Sequence, residues 1–210
     1  MGRYLNAQCK LCRREGTKLF LKGPKCNTEK CPFTKRPYPP GSNASARRRK
    51  PSYYAIQLRE KQKVKRMYGM LEKQFRRFFN IAAKKEGVTG RKLLELLERR
   101  LDNVVFRALF TLSRNEARQT VRHGFIWING RRVDIPSYSV KETDVIKIKG
   151  SESVIKRLKE NITINSKDRS VPKWMSVDND SLQISFTRMP EKEDLVIPVN
   201  EQYIVELYSK

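Results

Sequence analysis

The stretch Arg118–Val133, RQTVRHGFIWINGRRV, predicts an abrupt change from a helix to a β-hairpin. Its first third has helical spacing, and the helix is expected to end at Gly124, because glycine adopts the left-handed conformation without the cost of a Cβ. Phe125–Ile128 then predicts a strand. Asn129-Gly130 is the strongest short hairpin signal, since a type I′ turn needs positive φ at both central positions. Two adjacent arginines follow the turn directly.

The helix that leads into this hairpin is expected to begin at Ser113. Ser-Arg-Asn-Glu is a capping box, in which the serine hydroxyl and the Glu116 carboxylate each accept a hydrogen bond from an otherwise unpaired backbone N–H. Arg114, Arg118 and Arg122 stand at i, i+4 and i+8, which places them on one helical face. Glu116 is the only carboxylate in this arginine-rich stretch, so nucleic-acid contact is favoured over the alternative of a solvated charged face.

The charge of the chain also favours a polyanionic partner. Its 210 residues include 46 Lys and Arg against 22 Asp and Glu, a net charge of +24, and residues 1–150 carry +25 while residues 151–210 carry −1. Nucleic acid is the leading candidate, because each phosphate contact releases condensed counterions. An anionic membrane surface is the second, but no apolar run approaches the roughly 18 residues of a membrane span and no secretory leader is evident. We therefore expect a soluble, unexported protein that binds its polyanion through the first 150 residues.

The wider pattern predicts an α+β fold in four segments. These are a basic, cysteine-containing N-terminal segment (1–50), a helical domain (51–98), a helix–hairpin domain (99–150) and a C-terminal mixed α/β segment that packs back on the helical domain (151–210). The helix–hairpin domain is expected to be an inserted small α/β unit, with two helices packed on a small, mostly antiparallel sheet.

Local patterns place the elements within these segments. Apolar residues from Val64 to Ala82 form one helical stripe, so a helix is expected over 52–87, and another follows Thr89. After the hairpin turn, Val133 and Ile135 are expected on the return strand. The stretch DVIKIKG (144–150) predicts a third strand with its lysines and isoleucines on opposite faces. A short helix (153–160), a β-rich stretch (182–186) and a last helix after residue 200 complete the prediction.

The four cysteines predict a structural metal site. Cys9 and Cys12 are separated by two residues, Cys26 and Cys31 by four, and thirteen residues lie between the pairs. Disulfides are not expected in an unexported protein, whereas two close pairs separated by a loop suit a tetrahedral zinc ion with no open position for catalysis. One zinc ion would fold a segment that is poor in apolar residues. Four unrelated buried cysteines remain the alternative, and an iron–sulfur cluster would use the same ligands.

Catalytic motifs are poorly supported. His123 is the only histidine in the chain and no flanking motif supports it as a general base. No Gly-rich phosphate loop, dinucleotide fingerprint or kinase signature is present. We therefore predict a protein that is not an enzyme and has no small-molecule substrate.

The stretch RLDNVVFRALFTLSRNEARQTVRHGFIWINGRRVDIPSYSVKETDVIKI resembles the RNA-binding domain named after bacterial small-subunit ribosomal protein four. The similarity extends beyond this domain, because YGMLEKQFRRFF, KRPYPPG and the closing VNEQYIVELYSK resemble other parts of that ribosomal family, and the cysteines match its metal-binding form. The departures are local: Gly41–Ala44 replaces a common Gly-Gln-His-Gly, Phe125 stands where His is common, and Lys141–Asp144 replaces a usual Pro-Gly-Asp turn.

The resemblance implies a primary 16S ribosomal RNA-binding protein of the bacterial small subunit, located in the cytoplasm with the ribosome. Family members nucleate assembly of the 30S body and influence decoding accuracy near the path by which mRNA enters the subunit. The implied partners are 16S rRNA, mRNA and neighbouring small-subunit proteins, with protein five expected among them, and no membrane.

From the pattern and the resemblance together we predict an RNA-binding set of arginines with a few other polar residues. The set is Arg47, Arg48, Arg49, Lys50, Arg76, Arg77, Arg100, Arg107, Arg114, Arg118, Gln119, Arg122, His123, Asn129, Arg131, Arg132 and Tyr138. Two alternatives remain open: an RNA-modifying enzyme of the pseudouridine-synthase kind or its RNA-binding subunit, and a zinc-dependent DNA-binding regulator. The enzyme would need a catalytic module for which 60 mildly acidic residues are too few. The regulator would need a recognition helix and a dimer seam.

Overall fold

The structure is a computed structural model, and it describes residues 2, 4–43, 50–191, 194 and 198–209. The chain divides into two compact units, unit 1 being Met1–Leu93 with Ile197–Lys210 and unit 2 being Leu94–Val196. The segment predicted over 151–210 therefore contributes residues to both units.

The described residues form nine α-helices, one 3₁₀ turn and five strands. The helices are α1 Gln8–Glu15, α2 Pro32–Lys35, α3 Tyr53–Met67, α4 Glu72–Ala83, α5 Thr89–Glu98, α6 Leu101–Arg107, α7 Arg114–Arg122, α8 Glu152–Asn165 and α9 Glu201–Tyr208, with the 3₁₀ turn at Gly23–Cys26. The strands are β1 Ile126–Ile128, β2 Arg131–Arg132, β3 Ile146–Ile148, β4 Met175–Asp178 and β5 Gln183–Phe186. This content confirms the mixed helix and strand composition of the expected fold class.

Unit 1 is helical, but the single helix predicted over 52–87 is wrong. The chain forms α3 and α4 instead, because Gly69 adopts a φ of 61° that no continuous right-handed helix accepts. The apolar stripe is nevertheless buried at Val64, Phe75 and Ala82. α3 packs against α9 and α1, so the last helix of the chain completes this unit.

The helices of unit 2 begin where their caps predict. Ser113 Oγ accepts from the Glu116 N–H at 3.3 Å, and Glu116 Oε2 accepts from the Leu112 N–H at 2.8 Å. Each side chain therefore satisfies a backbone N–H as predicted, with the carboxylate reaching the residue before the N-cap. α7 ends before Gly124, whose φ is 75°, as expected. α6 and α7 pack against each other and bury Val104 and Val121 completely.

The strands of unit 2 form one antiparallel sheet with the order β2-β1-β3-β5-β4. Ile126 pairs with Ile148, and Ile146 pairs with Ile184, so one face of the sheet lies in the core with α6 and α7. Asn129 and Gly130 have φ values of 48° and 81°, which confirms the hairpin turn.

Three details of unit 2 differ from the sequence prediction. The return strand ends earlier than expected, with Ile135 exposed outside it, although the Val133 N–H still donates to Ile126 O at 3.0 Å. Strand β4 was not predicted. α8 continues to Asn165 instead of stopping at 160, because the side chain of Asn165 is buried and donates to Leu109 O at 2.7 Å.

Candidate nucleic-acid interface

The exposed basic groups of unit 2 lie where α7 ends and the β1–β2 hairpin turns. Arg122, His123, Arg131 and Arg132 are all exposed there, and Gln119 is exposed on the last turns of α7. Arg132 Nη2 donates to His123 O at 3.2 Å, so the hairpin arginine lies against the end of the helix. The predicted combination of helix end and hairpin thus places these cations on one part of the surface.

Gly124 is required for this close approach. A Cβ at residue 124 would lie 2.0 Å from Nε of Arg132, and the φ of 75° would strain any residue with a side chain. The glycine therefore both ends α7 and leaves room for the Arg132 guanidinium over the backbone.

Two residues of the predicted RNA-binding set organise the loop after the hairpin. Asn129 Nδ2 donates to Asp144 Oδ1 at 3.0 Å, and Asn129 Oδ1 accepts from the Val145 N–H at 2.9 Å. The Tyr138 hydroxyl donates to Asp144 Oδ2 at 3.2 Å, and partial burial and then the Asp144 carboxylate raise the pKa of Tyr138. Asp144 is 4 % exposed, so these bonds fix the hairpin against the β3 loop.

Arg100 and Arg118 lie in the interior of unit 2. Arg100 has no exposed surface and makes two hydrogen bonds to Asp102, Nε to Oδ1 at 3.0 Å and Nη2 to Oδ2 at 2.7 Å. Arg118 is 7 % exposed and its Nη1 lies 3.5 Å from the same carboxylate. Because α7 packs on α6 near Arg118, the predicted arginine face of α7 is not exposed throughout. Arg118 is buried in an ion pair, whereas Arg122 is exposed to solvent. Neither Arg100 nor Arg118 is presented to a phosphate in this conformation.

Arg107 and Arg114 are partly exposed and already engaged. Arg107 makes two hydrogen bonds to the buried Glu98 carboxylate, at 2.9 and 2.8 Å. Arg114 Nε donates to Asn103 Oδ1 at 2.9 Å, and its Cζ lies 4.4 Å from the centre of the Phe106 ring. Their positions are thus fixed by neighbours, which reduces the entropy lost on meeting a ligand.

Unit 1 contributes its own predicted cations. Arg76 and Arg77 are exposed on α4, where they line a groove together with Lys73 and Lys84. Lys50 is also exposed. Arg47, Arg48 and Arg49 lie outside the described residues.

Two lysines that the RNA-binding prediction omitted belong to the outer face of the sheet. Lys147 pairs with Trp127 across β1 and β3, and Lys149 Nζ lies 4.3 Å from the centre of the Trp127 ring. Both lysines are exposed while Ile146 and Ile148 are buried. The alternation of DVIKIKG already predicted this outward position, so the signal was present in the sequence.

The four cysteine thiols are suitable zinc ligands, but their side chains are not arranged around one point. All four are free, and Cys12, Cys26 and Cys31 are buried. The Lys22 N–H donates to Cys26 Sγ at 3.4 Å, and the pKa of the Cys31 thiol is lowered because backbone N–H bonds from Phe33 and Thr34 outweigh burial. Among the described residues, however, no three Cys, His, Asp or Glu side chains are gathered closely enough to hold a metal ion. The donor set fits zinc, and the side chains would have to converge further to bind it.

Among the helices of the described residues, none combines the length and apolar character needed to cross a membrane.

Residues 99–146, which contain the arginine-bearing helix end and the hairpin, match the S4 domain model, so the chain is a protein of the S4-domain class. Residues 3–98 match the Ribosomal protein S4/S9 N-terminal domain. The small ribosomal subunit protein uS4 of Thermus thermophilus is 51 % identical over 210 residues, which is 100 % of both chains. The uS4A protein of Symbiobacterium thermophilum and the uS4 protein of Halothermothrix orenii are each 54 % identical over the same full length. The chain belongs to the uS4 family of small ribosomal subunit proteins.

Proposed function

We propose that this protein is a structural constituent of the small ribosomal subunit that binds 16S rRNA and has no catalytic role. The observation that carries the proposal is that relatives named small ribosomal subunit protein uS4 match the chain over all 210 residues. The matched residues include both the S4 domain and the N-terminal domain, so the similarity is not limited to the RNA-binding module that RNA-modifying enzymes also contain.

The mechanism we propose is electrostatic and shape recognition of folded RNA. Double-stranded RNA offers a deep, narrow major groove that side chains do not read, so contacts fall mainly on phosphates and 2′-hydroxyls. Arg122, Arg131 and Arg132 would meet phosphates at the hairpin, and Arg76 and Arg77 would do so on α4. These contacts set position and orientation and carry little base readout.

The finer role follows the family. The protein would bind early to a helical junction in the 5′ domain of the RNA and nucleate assembly of the 30S body. In the assembled subunit it would lie near the path by which mRNA enters, beside other small-subunit proteins including protein five, and influence decoding accuracy. We accordingly propose that it is located in the cytoplasm with bacterial ribosomes.

One structural zinc ion would complete the N-terminal segment. Cys9, Cys12, Cys26 and Cys31 would hold it as four thiolates, which leaves no open position for a substrate. The ion would supply folding free energy to a segment with few apolar residues. Metal analysis of the purified protein should give one zinc, and replacing Cys26 by Ser should abolish it. An equal metal content in that variant, or iron with sulfide in place of zinc, would contradict the assignment.

The proposed function is tested by measuring binding to small-subunit rRNA, tRNA and duplex DNA at physiological salt. We expect a nanomolar dissociation constant for the ribosomal RNA and much weaker binding to the other two. Equal affinities for the three nucleic acids would overturn the proposal. Conversion of uridine to pseudouridine in any of these RNAs would favour the enzyme alternative.

A second measurement tests the interface. Replacing Arg131 and Arg132 together by Gln should weaken rRNA binding and lower the slope of log K against log salt by up to about 1.4 to 1.8, since each lost phosphate contact accounts for roughly 0.7 to 0.9. The matched control replaces Lys156 and Arg157, which are exposed on α8, with the same loss of charge. An unchanged slope for the hairpin variant would mean that the hairpin does not touch the RNA backbone.

A further inference from the structure

A cleft in unit 2 is lined in part by basic residues of the C-terminal segment, which the charge distribution did not predict to contact RNA. It is about 530 Å³ in volume and is lined by Phe106, Arg107, Arg169, Lys173 and Arg188, among others. Arg169 and Arg188 belong to the last 60 residues, whose net charge is −1. Their local surroundings therefore differ from what the average charge of that segment suggests.

Two guanidinium groups lie against the ring of Phe106, and of these two arginines Arg169 also lines the cleft. Cζ of Arg169 is 4.2 Å from the centre of the Phe106 ring, and Cζ of Arg114 is 4.4 Å from it. Stacking on an aromatic face fixes the plane of a guanidinium group, so its donors are preorganised for a planar, bidentate acceptor.

Arg169 is half-buried without a carboxylate at ion-pair distance in the described part of the chain. Its Nη2 donates to Thr111 O at 3.0 Å and its Nη1 to Phe106 O at 3.5 Å, which leaves further N–H donors of the guanidinium available. Burial first, and then the positive charges of Arg114 and Arg107, lower the pKa of Arg169 to about 10. A cation in a low-dielectric cluster of like charges is unfavourable, and a bound anion would relieve that repulsion.

The acidic groups of the cleft do not supply this anion. Asp194 Oδ2 lies 2.7 Å from Arg188 Nη1, so that carboxylate is paired elsewhere. Glu98, which does not line the cleft, is bound by Arg107. Asp168 also lines the cleft, yet its charge is the weakest of the influences on the pKa of Arg169.

We propose that the cleft beside Phe106 binds a phosphate group of the RNA backbone, with Arg169 as its main ligand and Lys173 at its exposed edge. This inference rests on the proposed function and extends it, because it adds a contact from the C-terminal segment to those of the hairpin and α4. A phosphodiester fits the site, since its oxygens accept charge-assisted hydrogen bonds from a guanidinium group and from a lysine ammonium.

The test compares three single variants in the full-length protein. Arg169→Gln and Lys173→Gln remove one charge each from the cleft, whereas Arg157→Gln removes one exposed charge from α8. We expect each cleft variant to weaken rRNA binding about three- to tenfold and to lower the salt slope by roughly 0.7 to 0.9, with the control close to wild type. A wild-type slope in both cleft variants, or an equal loss in the control, would overturn the assignment of this cleft.

Folding is separated from binding by thermal unfolding of each variant. Arg169 donates to two backbone carbonyls, so its replacement destabilises unit 2 to some degree. Arg169→Lys retains the charge and should recover the salt slope. Lys173→Gln alters an exposed side chain, and so it decides the question even if Arg169→Gln fails to fold.

A titration with inorganic phosphate alone distinguishes the two sources of the ligand. We expect millimolar binding that Arg169→Gln abolishes and that a short RNA displaces. Micromolar binding of inorganic phosphate that RNA does not displace would identify a free-phosphate site and overturn the RNA assignment. This titration does not depend on rRNA binding, so the two proposals can fail separately. A wild-type protein that does not bind rRNA would overturn the proposed function, whereas the phosphate titration would still test the cleft.

Discussion

The arginines of unit 2 divide into an inward pair and an outward group, although one stretch of sequence contains members of both. Arg100 and Arg118 share the buried carboxylate of Asp102, whereas Arg131 and Arg132 are exposed at the hairpin. All four look alike in the sequence. What distinguishes them is whether the neighbouring helix offers a carboxylate, because a cation is buried only where a partner compensates its desolvation. A run of arginines therefore indicates RNA contact only after such partners have been located.

The largest effect is expected from removing the carboxylate that the inward arginines share. Asp102→Asn should destabilise the protein by about 3–5 kcal/mol, because it leaves two guanidinium groups in the interior without that counter-charge. Urea unfolding measures this loss. The control is Asp134→Asn, since Asp134 pairs with Arg122 at 3.3 Å and both side chains are more than half exposed. The control should lose less than about 1 kcal/mol, and equal losses would remove the distinction between the two groups.

A smaller effect is expected where an outward arginine lies on the backbone. Gly124→Ala places a side chain at a φ of 75° and in the position of the Arg132 guanidinium, while Gly130→Ala meets open space at a φ of 81°. Both variants should lose about 1–2 kcal/mol from backbone strain. Gly124→Ala should lose about 0.5–1.5 kcal/mol more, because the hydrogen bond from Arg132 to His123 is broken. Chemical denaturation of the two variants gives the difference directly, and identical losses would mean that Arg132 moves aside without cost.

Glu72 in unit 1 is an intermediate case between buried and exposed charges. Burial opposes its ionisation, but hydrogen bonds from Lys61, Lys65 and Tyr208 outweigh burial and lower the pKa of Glu72 to about 2. A lowered pKa stabilises the folded state above the ordinary value near 4.5, and that stability is lost as pH falls toward about 2. Because the side chain is 45 % exposed, solvent screening limits the contribution to about 1 kcal/mol.

The acid dependence is measured by urea unfolding between about pH 5 and about pH 2.5. Wild type should lose about 1 kcal/mol more over this range than Glu72→Gln, which cannot titrate at residue 72. Parallel curves for the two proteins would mean that the lysines do not stabilise the ionised carboxylate in the folded state.

Local signals predicted much of unit 2. The capping box at Ser113, the positive φ at Gly124 and the turn at Asn129-Gly130 are set by the chemistry of a few adjacent residues, so sequence alone was sufficient for them. The burial of Arg118 was not predictable in this way, because its partner Asp102 lies on α6 and meets Arg118 only when α6 and α7 pack together.

Two other failures have the same origin in contacts distant along the chain. α8 continues through residues of low helix propensity because Asn161 and Asn165 bond to carbonyls some fifty residues away. Arg169 contacts Phe106, which is also distant along the chain, and so lies near the other arginines around that ring. The net charge of the C-terminal segment did not indicate this position. Sequence reasoning therefore predicted elements and turns better than it predicted the partner of each charge.

The smallest effect on stability is expected at Arg122, where a substitution should affect RNA binding more than it affects folding. Arg122→Gln removes an exposed ion pair and should change the free energy of unfolding by less than about 0.5 kcal/mol, yet it should lower the salt slope of rRNA binding by roughly 0.7 to 0.9. Arg118→Gln, one helical turn away, should lower the free energy of unfolding more and leave the salt slope unchanged, because its guanidinium is buried against Asp102. Urea unfolding and salt-dependent binding of both variants test the pair together. If Arg118→Gln lowers the slope as Arg122→Gln does, then α7 moves on binding RNA and releases its inward arginine, and the division between the two groups belongs to the free protein alone.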